Sequence, residues 1–134
     1  MKSAWWFVCN PEIVGTREWL LTEFFVGKRC AISGIGTGEA SPTRGDVLLC
    51  YLTEPSSALV ATATVLGKDR TQKNVVLRLR GLLRIPIGWL RIGKSKNLSR
   101  LRRRKNRPAL TKLNSKEFSQ LRRMILKLNP NVTF

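Results

Sequence analysis

The order of apolar patterns predicts an α+β fold: a small mixed β-barrel with peripheral helices and a C-terminal amphipathic helix. Three observations carry this. Several short runs are rich in apolar and β-branched residues and are bounded by turn residues, as strands are. One segment near the C-terminus has helical spacing and a capping signature. The 134 residues are 43 % hydrophobic, which suits one domain with a buried core, spanning residues 1–134.

The elements follow in order. Ala4–Cys9 holds three aromatics in an apolar run and reads as a buried strand. Trp5 and Trp6 point to opposite faces of it, with core expected for at least one. Asn10 then stands where a helix N-cap would, with Pro11 at the first helical position. Thr16–Leu21 reads as a second short helical segment, and Phe24-Phe25-Val26 as an apolar stretch ending at Gly27. Residues 33–45 read as a surface loop. Its Gly34, Gly36 and Gly38 lack the following helix and the Gly-Lys-Ser/Thr of a phosphate-binding loop.

Arg44-Gly45-Asp46 turns the chain into a strand at Val47–Leu52. Glu54–Ser57 turns it back into Leu59–Leu66, forming a hairpin. Val75–Ile85 is a third long strand, in which Arg78, Arg80 and Arg84 alternate with leucines and face solvent. Gly81 marks a bulge there. Residues 85–90 leave the sheet. Residues 93–108 are a polar basic stretch anchored only by Leu98 and Leu101. Ala109–Leu113 is a short strand, and Ser115–Leu128 an amphipathic helix. Asn114 caps that helix with Glu117 at the third helical position. Phe118, Leu121, Ile125 and Leu128 form its apolar stripe. Trp89 reads as a core plug.

Charge divides the chain in two. Residues 1–66 have a net charge of −1, and residues 67–134 have a net of +18. The densest stretch, Arg100, Arg102, Arg103, Arg104, Lys105 and Arg107, has no acid near it in sequence. A field of this sign attracts phosphate backbones. With Lys94 and Lys96, these six residues are the expected phosphate-binding set. The Arg78, Arg80, Arg84 stripe is a weaker candidate for the same role.

Several function classes are excluded. The chain has no histidine, which removes Ser-His-Asp, Cys-His and His-based zinc chemistry. Its three cysteines are isolated, so no disulfide framework or zinc knuckle is indicated. The acids are scattered and form no metal-binding pair. No enzyme, metal or cofactor is expected. No apolar run reaches the roughly 18–20 residues of a membrane span, and the N-terminus is too short and too aromatic for a signal peptide. A cytoplasmic protein without a membrane partner is the expectation.

Read in order, several segments resemble EVE/YTH-type domains of the PUA-like superfamily. Ala4–Pro11 is similar to the family's opening strand and Pro-containing turn. Gly45-Asp46-Val47-Leu48-Leu49-Cys50-Tyr51 resembles its Gly-Asp strand, and Leu59–Val65 occupies the place of the next. Ile85–Arg91 and the pair Arg103–Arg107 with Leu113–Phe118 resemble its closing segments. The resemblance implies a reader of modified nucleic-acid bases that takes the base out of the strand into an aromatic pocket. One branch of the family forms the N-terminal recognition module of modification-dependent restriction enzymes. The family's pocket Trp is absent here; the matching stretch is Phe24-Phe25-Val26-Gly27.

The candidate base-pocket residues are therefore Asn10, Trp19, Phe24, Phe25 and Tyr51. Aromatic faces stack on a flipped base for about 1–3 kcal/mol each. Asn10 is either a helix cap or a donor and acceptor for a base edge. One of Phe24 and Phe25 lines the pocket while the other packs in the core. Tyr51 ends a strand, where its hydroxyl would reach a base edge. The expected partners are nucleic acid, DNA before RNA, and the nuclease or motor portion of a larger chain. The competing reading is a structural RNA- or ribosome-binding protein without a base pocket.

Overall fold

The computed structural model describes residues 2–9, 29–32, 42–53, 57–68, 70, 75–104 and 109–134. Its strands are β1 (Ala4–Cys9), β2 (Arg29–Ile32), β3 (Val47–Leu52), β4 (Ala58–Lys68), β5 (Val75–Gly88) and β6 (Ala109–Lys112). They form one mixed sheet in the order β2-β5-β4-β3-β1-β6. β1 and β3 run parallel, and the other neighbours run antiparallel. The α+β class is as expected, and among the described residues the sheet is not closed between β2 and β6. A short helix, α1 (Trp89–Ile92), follows β5, and a 3₁₀ helix spans Lys96–Arg104. The helix α2 (Ser115–Leu128) closes the fold.

Both faces of the sheet are apolar, so the side-chain period of two splits each strand between two cores. Trp5, Phe7, Leu48, Cys50 and Leu52 join Ala63, Val65, Leu77 and Leu79 in one cluster. Trp6, Val8, Leu49 and Tyr51 join Leu83, Ile87, Leu98, Leu101, Leu121 and Ile125 in the other. Trp5 and Trp6 are thus both core residues, on opposite faces. The second cluster lies under α1, the 3₁₀ helix and α2.

Three stretches depart from the sequence reading. β4 runs past Leu59–Leu66 at both ends. β5 does not stop at Ile85, since Ile87 and Gly88 still pair with Leu59 and Ala58. A wide bulge separates that pairing from Leu82–Ala61 and holds residues 83–86 opposite Val60 alone. Pro86 sits in this bulge, where its missing N–H breaks no ladder bond. The backbone freed at Ile85 is satisfied from α2: its N–H donates to Asn129 Oδ1 at 2.8 Å, and Asn129 Nδ2 donates to its carbonyl at 2.9 Å. Gly81 does mark a second register shift, between the Thr62 and Ala63 pairings.

The third departure is the basic stretch, for which the sequence indicated no regular element and in which Lys96–Arg104 is a 3₁₀ helix. Its two apolar residues, Leu98 and Leu101, are three apart and both fully buried. That spacing matches the three-residue turn of a 3₁₀ helix. The expectations for Asn10–Pro11, Thr16–Leu21, Phe24–Val26 and most of the 33–45 loop lie outside the described residues.

Candidate nucleic-acid interface

The acids of this chain are few, and two fall among the described residues: Asp46 and Glu117. Both are buried, at 4 % and 2 % exposure. Asp46 accepts four hydrogen bonds. Ser3 N–H reaches Oδ1 at 3.0 Å. The Trp5 indole N–H at 3.0 Å, Thr43 N–H at 2.9 Å and the Thr43 hydroxyl at 3.4 Å reach Oδ2. Burial alone would raise its pKa. The backbone N–H groups of Thr43 and Ser3, with the Trp5 and Thr43 side chains, outweigh that and hold it below the ordinary aspartate value. Gly45, at φ +92°, makes the turn that presents Asp46, a conformation that L side chains rarely adopt. The carboxylate thereby ties the start of β1 to the start of β3.

Glu117 plays the matching role at the other end. The Asn114 side chain accepts from Glu117 N–H at 2.8 Å, and Glu117 Oε1 accepts from Asn114 N–H at 2.9 Å. This is the capping box read from the sequence. Glu117 also takes Arg100 in a two-pronged pair, Nη2 to Oε1 at 2.6 Å and Nε to Oε2 at 3.1 Å. Arg100 Nη2 donates further to the Lys112 carbonyl at 2.7 Å.

Arg100 is therefore a correction. It was placed with the phosphate-binding set because no acid stands near it in sequence, yet the fold brings Glu117 to it from 17 residues away. Its guanidinium fastens the 3₁₀ helix to β6 and α2, although the side chain remains 53 % exposed. Lys94 and Lys96 are exposed. Arg102, Arg103 and Arg104 lie on the last turn of the 3₁₀ helix. Lys105 and Arg107 lie outside the described residues. With both described carboxylates internal, Arg100–Glu117 is the ion pair found among the described residues. The outer cations there, including Arg80, Arg84, Arg91, Lys94 and Lys96, pair with neither of the two described carboxylates.

Of the expected base-pocket residues, Asn10, Trp19, Phe24 and Phe25 lie outside the described residues. Tyr51 is described, and it is a second correction. It is 1 % exposed. Its ring sits 5.0 Å from Trp6 and 6.2 Å, edge-on, from Trp89. A phenol enclosed by two indoles in the second core presents no face to a ligand. The end of a strand reads as accessible in sequence, but α1 folds Trp89 over it. Trp89 itself is half-buried and packs against the second core rather than plugging it.

One feature of the surface had only partial signals in the sequence. A groove of about 630 Å³ lies between β5 and the segment after α2. Arg80 and Arg84 line one side, and Pro130, Asn131 and Thr133 line the other. Gly81 allows the close approach, since a Cβ there would stand 2.6 Å from Val132 Cγ2. The buried Thr62 hydroxyl donates to the Thr133 carbonyl and holds the segment down. The arginine stripe and Gly81 were visible in sequence, but the return of residues 130–133 beside them was not.

No family model and no curated protein matches the sequence. Solved structures do match. Rpa0253 from Rhodopseudomonas palustris superposes with a TM-score of 0.71 at 14 % identity, over 95 % of each chain. Human THYN1, in complex with DNA containing 5-methylcytosine, gives 0.66 at 11 % identity, over 92 % of this chain and 97 % of that one. An ASCH protein from Zymomonas mobilis gives 0.56 at 14 %, over 90 % and 94 %. The fold is PUA-like. At these identities the likeness concerns the fold, which is the one that the sequence resemblance implied. Among the described residues, no group of three His, Cys, Asp or Glu is placed to hold a metal ion. No helix there is long and apolar enough to cross a membrane.

Proposed function

We propose that this domain binds nucleic acid and reads a modified, methylated base. The carrying observation is the fold match to THYN1, whose structure holds 5-methylcytosine DNA. The surface supports it, because the two described carboxylates are internal and neither pairs with the outer cations. In this reading the backbone lies along Lys94, Lys96, Arg102, Arg103, Arg104, Lys105 and Arg107. Those contacts set affinity and salt dependence. The base, flipped out of the strand, stacks on Trp19 and on Phe24 or Phe25, and Asn10 bonds its edge. DNA is the preferred ligand. The biological setting is the recognition module of a modification-dependent restriction system, with the cutting done by another domain or partner. The domain itself is a binder rather than a catalyst.

Binding of methylated, hydroxymethylated and plain duplexes, compared at one salt concentration, tests the reading. The expected result is tighter binding of one modified duplex, with the preference reduced by Phe24→Ala or Phe25→Ala. Replacing Arg103 and Arg104 weakens all ligands alike and flattens the salt dependence by about one per lost phosphate contact. Equal affinities for all three duplexes, unchanged by Phe25→Ala, would sink the reader and leave the pocketless RNA-binding protein. Turnover of DNA with Mg²⁺ would instead point to an enzyme.

A further inference from the structure

We infer that the groove between β5 and the C-terminal segment is a second phosphate-binding site, which holds the nucleic-acid strand away from the base pocket. The inference rests on the nucleic-acid reading above, but it concerns different residues from those of the basic 94–107 segment. Arg80 and Arg84 are both exposed and line the same groove. Among the described residues no acidic side chain lines it. Two guanidiniums lining one cleft make it favourable to an anion, and a phosphodiester suits their planar donor forks.

The opposite side completes the chemistry. Asn129 is used up on the Ile85 backbone, while Asn131 and Thr133 are exposed beside the arginines and carry further hydrogen-bonding groups. Ile85, 48 % exposed, adds an apolar surface within the groove that a sugar or base edge would cover. The walls are built rather than incidental. Asn129 holds the bulge that carries Arg84, and Gly81 with the Thr62–Thr133 hydrogen bond seats the other side.

The test is duplex binding by the intact chain across a salt series, with the Arg80→Gln/Arg84→Gln double variant and, separately, Asn131→Asp. All three positions are exposed, so thermal unfolding should match the wild type. The double variant is expected to lose on the order of tenfold per arginine at 0.1 M salt, with the salt slope shallower by about two. Its preference between modified and plain duplex should not change. Asn131→Asp, which places a carboxylate in the groove, is expected to weaken binding in the same uniform way. A wild type that binds and variants that keep its affinity and slope overturn the groove alone. A wild type that binds no nucleic acid overturns the reading and the groove together. A double variant that loses only the preference for the modified base also overturns the inference, because a phosphate contact carries no base information.

Discussion

The junction at Asp46 and the junction at Glu117 solve the same problem by different means. Each buries a carboxylate to tie distant segments together. Asp46 is met by neutral donors: two backbone N–H groups, an indole and a hydroxyl. Glu117 is met by one backbone N–H and a guanidinium. The difference is physical. The first carboxylate lies in an apolar junction where dipoles already point at it, and it needs no cation. The second lies at the rim of a basic segment and absorbs one of its arginines. Together they show how a chain of net charge +17 keeps its cations outward. The described acids are spent inside.

Breaking the first junction should have the largest effect. Asp46→Ala strands the Trp5 indole and the Ser3 and Thr43 N–H groups. At about 1–3 kcal/mol for the buried indole donor and less for the two part-buried N–H groups, a loss of roughly 2–4 kcal/mol is expected in urea unfolding. The junction is also pH-dependent. The folded pKa of Asp46 lies below its unfolded value, so its contribution is complete above about pH 4. It is lost as pH falls through the folded pKa. Stability measured from pH 5 to pH 2 should fall less steeply in Asp46→Asn than in the wild type. An equal slope would show that the carboxylate is not held as described.

Asn129→Ala comes next. It leaves both backbone groups of Ile85 without their partner in the bulge, and roughly 2 kcal/mol of stability should go with it. The second junction should yield less. Arg100→Ala leaves Glu117 buried but still bonded to Asn114, and the arginine was half in water. A loss of about 1–2 kcal/mol is expected, well under the cost of breaking a fully buried pair. If Arg100→Ala matches Asp46→Ala, the two junctions are more alike than their geometry indicates. The smallest effect on stability belongs to the outer cations. Lys94→Glu/Lys96→Glu should stay within about 0.5 kcal/mol of wild type per substitution. Nucleic-acid affinity should fall nonetheless, which separates the holding surface from the fold.

Much of this architecture was legible in the chain. Val47–Leu52 and Ser115–Leu128 have the bounds read from their apolar patterns, and Asn114 with Glu117 forms the capping box that the spacing required. These are local features, decided by neighbours within a few residues. Gly81 at a register shift and the buried pair Leu98 and Leu101 were also local signals. The candidate site was less legible. Arg100 read as a free cation until Glu117 arrived beside it. Tyr51 read as an accessible strand end until Trp89 closed over it.

Composition and periodicity alone therefore determined the class of fold, the position of its core strands and final helix, and the excess of positive charge that some anion must meet. The tertiary structure decided which of those charges stay outside. It paired the half-exposed Arg100 with the buried Glu117, carried β5 through a bulge satisfied by Asn129, and laid residues 130–133 beside Arg80 and Arg84 to form a groove. The reason is one of range. Hydrophobic periodicity and capping act within a turn or a strand, whereas ion pairing and groove formation depend on which distant segments the folded sheet brings within a few ångströms.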